Sequence, residues 1–163
     1  MIAVGIDPGV NGGIVALHGA GGEVIVAEKM PDTERDILAV FRRIQVVAGN
    51  VPGDPHPIQW VHALLEHVHS MPDQGIVSAF TFGQGFGGLR MALTAVDIPF
   101  DLAGPRKWQP VVGVIYPPKI KKTEKKNISK ARAQQLFPSV KVTHALADAL
   151  LIAEACRRWH GAR

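Results

Sequence analysis

The sequence predicts an α/β domain built on a mixed sheet with helices packed against it. Two observations carry this. Three short apolar runs joined by tight turns open the chain, the pattern of an antiparallel meander. Helical and extended patterns then alternate to the end, as expected where further strands join a sheet through helical crossovers. With 163 residues, 47% of them apolar, the chain suits one globular domain spanning 1–163.

The elements follow in order. Residues 2–6 (Ile-Ala-Val-Gly-Ile) read as a buried strand ending at Asp7, and Pro8, Gly9, Asn11, Gly12 and Gly13 form a turn. Ile14 to His18 is a second apolar run, Gly19 to Gly22 a hairpin-like turn, and Val24 to Ala27 a third strand. Thr33 has the chemistry of a helix N-cap, with Asp36 in the first turn. Ile37, Leu38, Phe41, Ile44 and Val47 recur at helical spacing up to Gly49. A proline-rich loop (Pro52, Pro55, Pro57) leads to a fourth strand, Trp60 to Val68. Ile76 to Val96 is a long glycine-interrupted helix, Ile98 to Leu102 a strand, and Gly104 to Trp108 a short helical start. Residues 113–127 read as a mobile basic loop, Ile128 to Phe137 as a helix stopped by Pro138, and Thr143 to Trp159 as a final helix capped by Thr143.

Composition excludes several classes. One cysteine, Cys156, supports neither a disulfide framework nor a multi-cysteine zinc site. No apolar run reaches the ~18–20 residues of a membrane span. The N-terminus lacks the basic lead of a signal peptide. A soluble protein of a reducing cytoplasm is expected. Charge is unevenly spread: residues 1–60 hold four basic side chains against seven acids, and residues 61–163 fourteen against seven. Such asymmetry suits a polyanionic partner, or a solvated basic face.

Three acids stand in apolar surroundings. Asp7 ends an apolar strand, where a carboxylate is costly unless paired or metal-bound; it could also open an Asx-type turn with Pro8 and Gly9. Glu66 follows two leucines in Val61–Val68, a strand that reads as buried on both faces; a strand-end Glu reaching solvent is the alternative. Asp148 shares a helical stripe with His144, Leu151, Ala155 and Trp159. That stripe should face inward, and an inward Asp one turn from an inward His calls for a cation, although the helix dipole alone favours an early-turn acid. Glu154 lies off the stripe and should face solvent.

Oxygen ligands suit Mg²⁺ or Mn²⁺, and such a trio suits phosphodiester hydrolysis with two ions per site. Between 119 and 132, Lys119, Lys121, Lys122, Lys125, Lys126, Lys130 and Arg132 face only Glu124 in sign, a set able to hold DNA phosphates. A solvated basic loop is the alternative.

Taken together, Gly5-Ile6-Asp7-Pro8-Gly9, Leu65-Glu66-His67-Val68 and Ala147-Asp148-Ala149-Leu150 resemble RuvC-type Holliday junction resolvases. Gly83-Gln84 with Gly87, and Gln109-Pro110-Val111-Val112-Gly113, resemble two further segments of that family. The resemblance covers nearly the whole chain. Met71-Pro72, Gln74-Gly75, Ser78, Phe80 and Leu136-Phe137-Pro138 look like its phage-type branch. It implies an RNase H-like fold: a five-stranded mixed sheet, with the three-strand meander plus parallel strands, flanked by helices on both faces. It also implies a homodimer cutting two strands of a four-way DNA junction symmetrically, in a bacterial cell or a phage-infected host.

The resemblance carries the metal positions over as Asp7, Glu66, Asp148 and a residue one turn before Asp148. The family's fourth position falls on Ala145; His144, one residue earlier, faces the same side and is assigned the role. The family's aromatic wedge falls on His69, with Met71 and Phe80 nearby as substitutes. His67 and His69 could instead be solvent-facing strand-end residues. Gln84, Lys107 and Lys125 or Lys126 would meet DNA. Phe80, Phe82, Phe86, Leu89 and Met91 offer a dimer face, or core. Rival readings are an RNase H-like nuclease for flaps or RNA–DNA hybrids, a junction binder without catalysis, and an actin-like or sugar-kinase-like ATPase. The last needs two such domains, so no nucleotide cofactor is expected.

Overall fold

A computed structural model describes residues 1–50, 59–69 and 75–161. Pro52, Pro55, Pro57, Met71, Pro72 and Gln74, named above, lie outside the described residues. The chain runs β1 (Ile2–Asp7), β2 (Gly13–His18), β3 (Val24–Lys29), α1 (Glu34–Val47), β4 (Val61–Glu66), α2 (Ile76–Ala95), β5 (Phe100–Ala103), α3 (Pro105–Val111), α4 (Lys122–Leu136) and α5 (His144–His160).

The strands form one mixed sheet in the order β3-β2-β1-β4-β5. β1, β2 and β3 pair antiparallel, the predicted meander, and β4 joins β1 and β5 in parallel. Strand alternation divides the core between two faces. Ile2, Val4, Ile6, Ala63 and Leu65 pack with α1 and α2. Ala3, Leu64 and Ala103 pack with α3, α4 and α5 on the other face. Asp7 and Glu66 continue this second alternation, so their side chains belong to the α5 face.

α5 is buried around most of its circumference from Ala149 to Cys156, which marks a helix at the centre of the fold. It lies directly on β1 at Gly5. A Cβ there would stand 2.1 Å from the Ala153 nitrogen and 2.3 Å from the Ala149 carbonyl oxygen. Only glycine permits that approach.

Several expectations need correction. Residues 113–127 are not one basic loop: α4 begins at Lys122, six residues before the expected start. The Glu124 carboxylate accepts from the Lys121 backbone N–H at 2.9 Å, closing the first turn. β5 begins at Phe100 rather than Ile98, and β4 is confined to 61–66, leaving Trp60 exposed. Thr33 caps α1, accepting from the Asp36 N–H at 3.2 Å. Thr143 occupies the N-cap position of α5, but its side chain makes no capping bond.

Glu154 is buried, not solvent-facing. It accepts from Arg157 at 2.7 and 2.9 Å and from Arg158 at 2.7 Å, bonds one turn along its own helix. Burial alone would raise its pKa; these hydrogen bonds outweigh it and hold the carboxyl below the usual value. The stripe through His144 and Trp159 is inward only in its middle: both end residues are exposed.

Candidate active site

Parallel pairing assembles the site. Ile6 lies opposite Leu65 in the β1–β4 register, which places Asp7 and Glu66 side by side as the strands end. The close approach at Gly5 fixes α5 over the same strand and brings its first turns toward Asp7. Gly12 folds the following loop back: a Cβ there would lie 2.2 Å from the Asp7 carbonyl oxygen. The Gly9 N–H donates to Asp7 Oδ1 at 3.1 Å. Asp7 thus opens a turn and faces the other acids as well.

The three carboxyls feel one another. Burial pushes Asp7 up to about 6, against the Gly9 hydrogen bond; Asp148 adds to the rise and Lys126 opposes it. Burial pushes Glu66 up to about 7, helped by the charges of Asp7 and Asp148 and opposed by a hydrogen bond from Trp108. Burial also raises Asp148, while a hydrogen bond from Ser129 and the charges of Lys126 and His144 pull it down. His144 therefore acts on Asp148 from an exposed position one turn away.

Among the described residues, no ion pair neutralises the trio directly. Oδ1 of Asp148 is buried with no hydrogen-bond partner among the described residues. An orphaned buried oxygen, amid carboxyls that repel each other's charge, fits an oxygen-seeking divalent cation. The set is not a tight single-ion cage: its oxygens do not all fall within 4.8 Å of one another, a criterion met among the described residues only by His62, Asp101 and His160.

Three neighbours escaped sequence reasoning. Trp108, 1% exposed, donates its indole N–H to Glu66 Oε1 at 3.0 Å and so orients that carboxylate. Buried tryptophan seeks an acceptor for its N–H, which was the available signal. Ser129, buried on α4, shares a 2.7 Å hydrogen bond with the Tyr116 hydroxyl and also reaches Asp148. Tyr116 in turn lies under Lys125, whose Nζ is 5.6 Å from the ring centroid.

A groove of about 460 Å³ leads to Asp148, with Arg106, Gln109, Lys122, Lys125 and Lys126 among its lining. Lys122, Lys125, Lys126 and Ser129 follow helical spacing, so one face of α4 presents cations toward the acids. The other basic candidates are dispersed. Lys107 is exposed on α3, Lys119 and Lys121 are exposed before α4, and Lys130 is half-buried on it. Arg132 turns back to the protein, donating to the Val112 carbonyl at 2.6 Å and to Gln135 at 3.2 Å. Gln84 lines a separate groove with Pro8 and Thr33. His69 is exposed beyond β4, edge-on to His67 with ring centroids 4.4 Å apart. Of the apolar residues on α2, Leu89 is core, whereas Phe80 and Met91 are exposed. No helix among the described residues is long and apolar enough to cross a membrane.

No protein-family model matches the chain, and no curated protein matches it. Solved structures do. The structure of Thermus thermophilus RuvC in complex with a Holliday junction substrate aligns with a TM-score of 0.63 at 16% identity, over 95% of this chain and 91% of that one. Another Thermus thermophilus RuvC structure aligns with a TM-score of 0.61 at 19% identity, over 95% and 92%. The five-stranded mixed sheet and its flanking helices therefore form the RNase H-like fold that RuvC has.

Proposed function

We propose that this protein is a divalent-metal-dependent endonuclease that resolves four-way DNA junctions. The observation that best supports this is the meeting of three half-buried carboxyls that feel one another's charge, one with a buried orphaned oxygen, beside the lysine face of α4. The fold shared with a RuvC solved on a Holliday junction substrate supports the choice of DNA. Asp7, Glu66 and Asp148 would hold Mg²⁺ or Mn²⁺, two ions in all, with His144 completing the set. When bound, such ions make water a nucleophile near neutral pH and stabilise charge developing on phosphate oxygens.

The chain's own groups do the rest. Trp108 keeps Glu66 oriented, and Ser129 does the same for Asp148. Lys122, Lys125 and Lys126 position the phosphate backbone and offset its charge. Lys107, Lys119, Lys121, Lys130 and Gln84 extend the DNA contact, and Arg132 contributes by fixing α4 against the end of α3. His144, at the solvent edge, moves a proton between site and water or ligates. Water attacks phosphorus and the bond to the 3′ oxygen breaks, leaving 5′-phosphate and 3′-hydroxyl ends.

Resolution by paired nicks needs two sites on one assembly. A second copy of the chain is the occupant proposed for the outer part of α2, where Ile76, Val77 and Phe80 are 88%, 79% and 66% exposed. His69, with Phe80, is the candidate to stack at the junction centre.

The test is a substrate panel with Mg²⁺ or Mn²⁺: a synthetic four-way junction, a flap, an RNA–DNA hybrid and a plain duplex. Preferential junction cleavage is expected. Cleavage of the hybrid or flap alone would replace this reading with that of a different RNase H-like nuclease. Tight junction binding without cleavage would make it a binder.

A further inference from the structure

One other cluster of ligating side chains lies on the α5 face, at the opposite end of the sheet. His62 is the second residue of β4, four residues before Glu66 and so ~13 Å along the strand. Asp101 on β5 is paired in register with Leu64. His160 is the last residue of α5, twelve residues beyond Asp148 and ~18 Å along the helix. Three elements distant in sequence thus converge.

Nε2 of His62 and Nε2 of His160 each lie 3.1 Å from the same Oδ2 of Asp101. The two rings stack with centroids 4.0 Å apart, tilted by 33°. All three ligand atoms fall within 4.8 Å of one another. Asp101 Oδ2 has lone pairs enough to accept from both imidazoles; the same convergence also presents three donor atoms from three elements to a single ion. A tetrahedral ion with bonds of ~2.0–2.1 Å sets adjacent donors roughly 3.3 Å apart, close to the observed 3.1 Å separations.

We propose that His62, Asp101 and His160 form a second metal site, separate from the acidic trio, and that it takes Zn²⁺. Two imidazole nitrogens and one carboxylate oxygen suit zinc and do not suit Mg²⁺, which prefers oxygen donors. The two sites would select different ions. Cys156, one turn before His160, is occupied with the His62 carbonyl, to which its thiol donates at 3.4 Å. Among the described residues no fourth ligand joins these three, so the fourth zinc position would fall to water, and Asp101, with 55% of its side chain exposed, opens the site to solvent. A zinc ion there ties the end of α5 to β4 and to the edge strand β5. It thereby steadies the helix whose other end carries Asp148. This inference does not depend on the nuclease reading.

The test uses the full, tag-free chain carrying Asp7→Asn and Asp148→Asn, so that the acids cannot take the ion. Zn²⁺ is titrated against a chelating dye, and Co²⁺ serves as a visible-absorption probe. One ion per chain is expected, with a Co²⁺ spectrum of tetrahedral intensity. His160→Gln and His62→Gln should each weaken Zn²⁺ binding by more than about 100-fold, and Asp101→Asn by about 10-fold or more. Far-UV circular dichroism confirms that each variant is folded. Zn²⁺ should raise the melting temperature of the parent and not of the His160→Gln variant. Equal zinc affinity in the parent and the folded His160→Gln and Asp101→Asn variants would overturn the proposal. So would the absence of any one-to-one binding.

Discussion

Glu66→Gln should stabilise the metal-free protein at neutral pH. Burial and the neighbouring charge of Asp7 push the Glu66 carboxyl up to about 7 from 4.5. The folded protein therefore binds this proton more tightly than the unfolded chain does. The stability it contributes is complete below pH 4.5 and is lost as pH rises through about 7. That window corresponds to about 3 kcal/mol at ~1.4 kcal/mol per pH unit. Asp7, raised from 3.8 to about 6, loses stability in the same direction over an overlapping window.

Part of each shift is repulsion among the same carboxyls, so the two effects do not add in full. Gln removes the charge while its amide oxygen still accepts from Trp108. A gain of about 2 kcal/mol is expected at pH 8 in EDTA, or a rise in melting temperature of about 4–8 °C. At pH 4.5 the gain should shrink toward zero. Urea unfolding of both proteins across that pH range measures it, because unrelated titrations cancel in the difference. Millimolar Mn²⁺ should reverse the order by stabilising the wild type. A variant that is less stable than wild type at pH 8 in EDTA would refute the reasoning, as would a difference independent of pH.

Other outcomes follow from the same geometry. Gly5→Ala places a Cβ 2.1 Å from the Ala153 nitrogen, so α5 must lift from β1. A loss of about 2–3 kcal/mol in urea unfolding is expected, with loss of cleavage as Asp148 moves from Asp7; an unchanged midpoint would contradict it. Trp108→Phe removes the 3.0 Å donor to Glu66, so the acidic limb of the pH–rate profile should move up by about one pH unit. A limb that stays in place would assign Trp108 to packing alone. Replacing Lys122, Lys125 and Lys126 by Ala should reduce the slope of log affinity against log salt by about 0.9 per lysine, measured by DNA binding from low to moderate salt. An unchanged slope would move the DNA elsewhere on the surface.

What the sequence revealed follows from which forces are local. Asp7, Glu66 and Asp148 stood out because a carboxyl amid apolar residues is costly wherever it lies. The meander stood out because tight turns and apolar runs are short-range signals. Trp108, Ser129 and Tyr116 did not, because each acts through a contact between segments far apart in the chain. Gly5 was visible as part of a motif, but its purpose depends on Ala149 and Ala153 of α5, more than 140 residues later. The start of α4 was obscured by charge: Lys-Lys-Thr-Glu-Lys-Lys has no apolar stripe to mark a helix, although Glu124 in the first turn was a usable capping signal. Glu154 was misplaced because its arginine partners, three and four residues on, make burial tolerable.

The most direct test of the central claim is single-turnover cleavage of a supercoiled plasmid that extrudes a cruciform, with Mn²⁺, by wild type and Asp148→Asn. Paired symmetric nicks linearise such a plasmid, whereas unpaired nicks only relax it. The account predicts linear product from the wild type. It predicts none from Asp148→Asn, with junction binding retained. Linear product from the variant, or only nicked circles from the wild type, would contradict it.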